Sequence, residues 1–191
     1  MKYPTRNHAF TSACTWVLDG PHLRRDDDSG PPQVFPLADV VRCSLDFRPT
    51  RADRNCFRCR LTFRTGIRIE ILNRTWKGPL NFVDTSAAYV DFVHELVARL
   101  ATFAPQCEFR AGTSWLHYII NALATGFIAL CFAAIAFFLA KVGLTWVVAL
   151  KIAILLFYVP ALIYWLVRNR PRHFAPTAIP AEVLPAPAPR A

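Results

Sequence analysis

The stretch "FRCRLTFRTGIRIEIL", residues 57–72, decides the fold. Phe57, Cys59, Leu61 and Phe63 alternate with Arg58, Arg60, Thr62 and Arg64. After the Thr65-Gly66 turn, Ile67, Ile69 and Ile71 alternate with Arg68 and Glu70. Successive side chains on a strand project to opposite faces, so a period of two marks strands with one apolar and one wet face. One step outward, Val41, Cys43, Leu45 and Phe47 alternate with Arg42, Ser44, Asp46 and Arg48, across a polar connection at 48–55. Three successive segments of this kind predict an antiparallel sheet.

The same geometry bears on Cys56-x-x-Cys59. An odd spacing on one regular strand puts the two thiols on opposite faces, where they cannot share a zinc ion or close a redox disulfide. A zinc ribbon also needs a second such pair, and Cys14, Cys43, Cys107 and Cys131 all stand singly. Cys59 and Cys43 read as small core residues and Cys56 as an exposed strand start. No metal and no cofactor is expected.

Residues 1–9 read as a flexible N-terminus, 10–18 as a strand ending in an Asp19-Gly20-Pro21 turn, and 34–40 as a short strand. The loop at 24–32 crowds Asp26, Asp27 and Asp28 without the spacing of an EF-hand, and reads as a solvated hairpin tip. Downstream, 72–82 is a long connection. Asp84 or Thr85 then caps a helix carrying Tyr89, Phe92, Val93, Leu96, Leu100 and Phe103 on one stripe. Glu95 and Arg99 form an i,i+4 pair on the other side, Pro105 ends the helix, and 107–114 reads as a linker. His94 falls among surface positions.

The chain has 191 residues and a mean hydropathy of +0.28, high for a soluble domain. The excess is local. Trp115–Ala140 holds no Asp, Glu, Lys or Arg, and Thr145–Val167 is broken only by Lys151. At about 1.5 Å per residue, each run crosses a hydrocarbon core of about 30 Å. The two are expected to form a transmembrane hairpin, 115–140 and 145–167. Trp115 and Tyr118 open the first span, and Tyr164 and Trp165 close the second. Arg110 precedes the pair and Arg168, Arg170 and Arg172 follow it. The positive-inside rule therefore places both termini in the cytosol. Lys151 is the membrane-embedded charge, close enough to one interface to snorkel. Ala122, Gly126, Ala129, Ala133, Ala136 and Ala140 form a small-residue stripe on the first span, a helix-packing candidate. The tail, 168–191, carries six prolines with alanines between and is expected to be disordered or polyproline-like.

The net charge is +9, from 22 Lys+Arg and 13 Asp+Glu, with no long basic block. Nucleic acid is not expected as a partner, since aromatic interleaving is missing from the arginine-bearing face of these strands. Residues 1–15 contain no apolar signal region, so the N-terminal domain, 10–112, is expected in a reducing cytosol at the inner (plasma) membrane.

Several short strands followed by one amphipathic helix, carried by "FPLADVVRCSLDFRPT", "FRCRLTFRTGIRIEIL" and "AAYVDFVHELVARLA", resemble a pleckstrin-homology-like domain. The whole resembles the poorly characterised bacterial membrane proteins that join such a domain to a transmembrane hairpin. The resemblance implies an α+β fold, a small antiparallel β-barrel or sheet capped by one amphipathic helix, and no particular ligand.

Two functions follow from the pattern. The first is a membrane-anchored interaction module. Its wet face would gather Arg42, Arg48, Arg58, Arg60, Arg64 and Arg68 for anionic lipid head groups of the inner leaflet or a protein partner. On that reading, changing Arg42, Arg58, Arg60 and Arg68 together to Gln leaves the fold intact. The second is a small accessory subunit, contacting a membrane-protein partner or another copy of itself through the small-residue stripe, Lys151 and the tail. An enzyme is not expected: His8, His22, His94, His117 and His173 are scattered, and no nucleophile triad, phosphate loop or ligand cluster appears.

Overall fold

The computed structural model describes residues 1–6, 13–28, 30–49, 55–78, 81–141, 160 and 162–185. It divides into two units, Met1–Gly112 together with the segment from Arg172 onward, and Thr113–Pro171. The first unit is α+β.

Four strands, β1 (Lys2–Thr5), β2 (Cys14–Asp19), β3 (His22–Asp27) and β4 (Gln33–Pro36), form an antiparallel sheet in that order. The arginine-bearing segments form β5 (Val40–Phe47), β6 (Phe57–Phe63) and β7 (Arg68–Leu72), antiparallel and adjacent as expected. A separate ribbon pairs β8 (Arg74–Gly78) with β9 (Asn81–Asp84). Helix α1 (Ser86–Phe103) follows. It carries the chain across to β10 (Glu108–Ala111), which pairs parallel with β5, as a crossover connection permits. Strand β11 (Arg172–His173) pairs antiparallel with β10. The second sheet thus runs β11-β10-β5-β6-β7. Its strands extend outward through β10 and β11 without closing on the first sheet, so the sheets stay open and no closed barrel forms.

The apolar sides of these elements make one core. Cys43, Leu45, Phe57, Cys59, Leu61 and Ile71 of the sheet are fully buried, as are Tyr89, Phe92, Val93, Leu96 and Leu100 of α1. Full burial of such side chains is worth about 1.5–3 kcal/mol each for the larger ones. Phe103, at the last turn of α1, is 40% exposed and lies outside the stripe. Val41 was expected inward with Cys43, yet it is exposed and Val40 is buried, because the β5–β6 register shifts between Val40 and Arg42. A bulge of one residue reverses the facing of everything before it.

The start of α1 is held by polar groups. The Ser86 N–H donates to Asp84 Oδ1 at 2.8 Å, so Asp84, rather than Thr85, supplies the cap. Asn73, almost fully buried, accepts from the Phe57 N–H at 2.8 Å and donates through Nδ2 to the Asn55 carbonyl and to Ser86 Oγ. It ties the ends of two strands to the helix.

Both chain ends depart from expectation. The N-terminus is a strand because Tyr3 anchors it: the fully buried ring packs on Tyr89 and Phe92, and its hydroxyl donates to the Leu72 carbonyl at 2.5 Å. The expected disorder of 168–191 is likewise overturned within the described residues. Beyond β11, the Phe174 N–H donates to the Phe109 carbonyl and the two rings lie 5.7 Å apart. A 3-10 turn at Ala181–Val183 then packs against β5, with Val183 fully buried and Leu184 7% exposed. Prolines set the path, but three apolar side chains give the tail something to bury. The expected hairpin tip at Asp26–Asp28 is mostly strand, with Asp26 paired to Arg24 at 2.8 Å and Asp27 to Arg25 at 2.9 Å.

In the second unit, α2 (Trp115–Lys141) covers the first apolar run. Residues 160 and 162–168 are helical, whereas Lys151 and most of the expected second span lie outside the described residues. Among the described residues, one helix is long and apolar enough to cross a membrane, and its large side chains stand open, Leu123 69% and Phe127 67% exposed among them.

Candidate functional site

The outer face of the second sheet was the candidate surface, and cross-strand register determines its chemistry. Asp46 stands opposite Arg58, Arg60 opposite Glu70, and Glu108 opposite Arg42. Directly opposed side chains are close enough to interact, and opposite charges there are favourable. Each of these three arginines accordingly meets a carboxylate. Arg58 Nη2 reaches Asp46 Oδ2 at 2.5 Å and Nε reaches Oδ1 at 2.9 Å, a bidentate pair, while Nη1 reaches Glu70 Oε1 at 2.9 Å. Arg60 binds the same Glu70 oxygen at 2.7 Å. Arg42 reaches Glu108 Oε2 at 2.9 Å, and Arg110 reaches its other oxygen at 2.6 Å.

The solvated six-arginine face is therefore corrected. Arg58 is buried, with 7% of its side chain exposed, and belongs to an internal ion network. Arg42 and Arg60 are more open but engaged. Arg48, Arg64 and Arg68 are exposed and form no ion pair within 4 Å among the described residues. Burial alone would raise the Glu70 carboxyl, but the Arg60 hydrogen bond and the charges of Arg58, Arg60 and Arg48 outweigh it and hold it below its ordinary value. Glu108 is held low chiefly by its hydrogen bond from Arg110, with Arg42 adding to it.

The cysteine reading is corrected at one position. Cys56 precedes β6 and is 2% exposed, so it is not a surface strand start. The alternation rule does not reach it because it lies outside the strand. Cys59 and Cys43 are buried core residues as read from the pattern. Hydrogen bonding to Cys59 and burial hold the Cys43 thiol well above its ordinary value, and burial pushes Cys107 up to about 11. Such thiols are protonated and unreactive at neutral pH. Among the described residues no three His, Cys, Asp or Glu side chains are grouped to hold a metal ion.

On α2, Ala122 and Ala129 are partly covered while Gly126 and Ala133 are exposed, and a Cβ built on Gly126 would meet nothing within 4 Å. Ala136 and Ala140 lie in the helix, with their side chains outside the description.

Two features lie outside the sequence reading. "CEFRAG" reads as a linker by its position, although Cys107, Phe109 and Ala111 inward against Glu108 and Arg110 outward repeat the strand pattern. The connection at 72–82 holds β8 and the first half of β9, signalled by β-favouring residues on both sides of Gly78-Pro79. Comparison with protein-family models, curated proteins and solved structures finds no match.

Proposed function

We propose that the chain is a membrane-anchored, non-enzymatic interaction module of the inner membrane, both termini cytosolic, whose sheet unit meets anionic lipid head groups. The observation that carries the anchor is α2. Its 27 residues rise about 40 Å, beyond the roughly 30 Å of a bilayer core, and expose large apolar side chains along that length. A surface of that size needs lipid or a partner to cover it.

Two contacts favour a hairpin over a single crossing. In the second unit, the Thr113 N–H donates to the Asn169 carbonyl at 3.1 Å, joining the start of the apolar segment to its end. In the first, β10 before the segment pairs with β11 after it. A segment whose ends meet crosses an even number of times. From Lys141 back to Asn169 the chain is long enough, at about 1.5 Å per helical residue, to recross roughly 40 Å. Arg110 on one side and Arg168, Arg170 and Arg172 on the other then put both ends inside.

Cytosolic and periplasmic reporter fusions at each end test this. A periplasmic reporter active at either terminus defeats the topology, and release of the chain by alkaline carbonate defeats the anchor.

A further inference from the structure

We propose that the free edge of β7 accepts an added strand from a partner protein, an extended segment in which acidic and apolar residues alternate; this contact is separate from the lipid contact above. The second sheet ends at β7, which pairs with β6 on one side only. Register shows which main-chain groups face the open side. The Phe63 N–H donates to the Ile67 carbonyl at 2.9 Å, and the Asn73 N–H to the Phe57 carbonyl at 3.2 Å. Hydrogen-bonded and non-bonded pairs alternate along an antiparallel ladder. Ile69 and Ile71 therefore also bond to β6, while Arg68, Glu70 and Leu72 turn their N–H and C=O groups outward. The Tyr3 hydroxyl takes the Leu72 carbonyl. The outward groups of Arg68 and Glu70 form no main-chain hydrogen bond to another element among the described residues.

The other sheet edges are blunted. Strand β1 contains Pro4, β4 ends at Pro36 and β11 follows Pro171. Proline has no N–H to offer a new strand. Strand β7 has no proline and is guarded by charge alone, and charge selects a partner. In an added strand, the residues that bond to Arg68 and Glu70 project to the outer face and those between them project inward. On the outer face Glu70 is already held by Arg58 and Arg60 through Oε1. Arg64 and Arg68 are exposed and form no ion pair among the described residues, so theirs is the uncommitted charge along this edge. An acidic residue across from Arg68 is therefore favoured. On the inner face Ile67 continues the row of the buried Ile69 and Ile71, yet it is 49% exposed. An apolar residue across from Ile67 covers that surface. Main-chain hydrogen bonds to Arg68 and Glu70 supply the rest, as in other strand additions to a sheet edge.

The test uses the full chain in neutral detergent micelles and reads amide exchange along β7. The probes are two acetylated and amidated hexapeptides, one alternating Asp with Val and the other Lys with Val. The Asp peptide slows exchange at Arg68 and Glu70 and leaves Ile69, already bonded to β6, unchanged. It acts at about tenfold lower concentration than the Lys peptide, because the cross-strand pair with Arg68 changes from repulsive to attractive. Arg68→Glu reverses the order of the two peptides at the melting temperature of the parent. Lys77→Glu, exposed on the β8–β9 ribbon, leaves the order as it is in the parent. Equal potency of the two peptides overturns the proposal, as does an unchanged order in Arg68→Glu. Protection of β4 in place of Arg68 and Glu70, or no protection by either peptide, overturns it as well.

Discussion

The two basic surfaces of the sheet unit use arginine in different ways. On the outer sheet face, Arg58 and Arg60 sit opposite Asp46 and Glu70, and Arg42 opposite Glu108, so three of the six arginines are engaged within the fold. On the β8–β9 ribbon, the Arg6 and Arg74 guanidinium groups lie over the Trp76 and Phe82 rings. A guanidinium paired with a carboxylate contributes specificity and order to the fold. One stacked on a ring adds cation–π attraction. Counting arginines on a face therefore says little about the field it presents; the groups set against each guanidinium matter as much as the count.

The largest effect separates the two surfaces outright. Arg58→Ala strands Asp46 against a buried gap, since Arg58 is 7% and Asp46 13% exposed. Removing one partner of a buried pair costs about 3–5 kcal/mol. The expectation that Arg42, Arg58, Arg60 and Arg68 could all become Gln with the fold intact is thus withdrawn for Arg58. Five of the six cysteines are buried, so a thiol-reactive dye reports unfolding of the full chain in detergent. A melting temperature unchanged in Arg58→Ala would show that the network is ornamental. Asp46→Ala added to it should cost less than the sum of the two single changes.

A smaller effect tests whether the tail belongs to the sheet unit. Leu184 is 7% exposed beside the fully buried Val183. Leu184→Ala should cost about 2 kcal/mol, the low end for a buried leucine near a surface. A cost near zero by the same melt would return the tail to the disorder its prolines suggest.

That contrast shows what was legible. The period-2 segments at 41–47, 57–63 and 69–71 and the helical stripe at 89–100 announced the sheet and its helix, because each pattern is local. Val41 failed because a bulge depends on the neighbouring strand. Cys56 failed because the face rule ends with the strand. Tyr3, Val183 and Leu184 are isolated apolar residues in polar or proline-rich surroundings, and only long-range packing makes core residues of them. Arg58 failed for the reason that matters to the site: its partner Asp46 lies on another strand, 12 residues away, at a register that alternation alone leaves open.

The smallest effect concerns acid. Glu70 is partly exposed, and its arginine neighbours hold its carboxyl below the ordinary value of 4.5. A carboxyl whose folded value is depressed contributes stability that is fully present above the unfolded value. That contribution is lost as pH falls through the folded one. The full chain should therefore keep a constant melting temperature from neutral pH down to about 5, then lose stability below about 4.5. Arg60→Gln removes the hydrogen bond that is foremost among the influences lowering Glu70, so its folded value returns toward the unfolded one. The variant should start slightly less stable at neutral pH and show a shallower acid limb, because less linked stability is left to lose. Arg68→Gln, exposed and without an ion pair among the described residues, supplies the control: its acid limb should overlay that of the parent. Parallel acid limbs in parent and Arg60→Gln would mean that solvent screens the Arg60–Glu70 pair completely. Stabilising charge pairing on this face would then be confined to Arg58 and the carboxylates it buries.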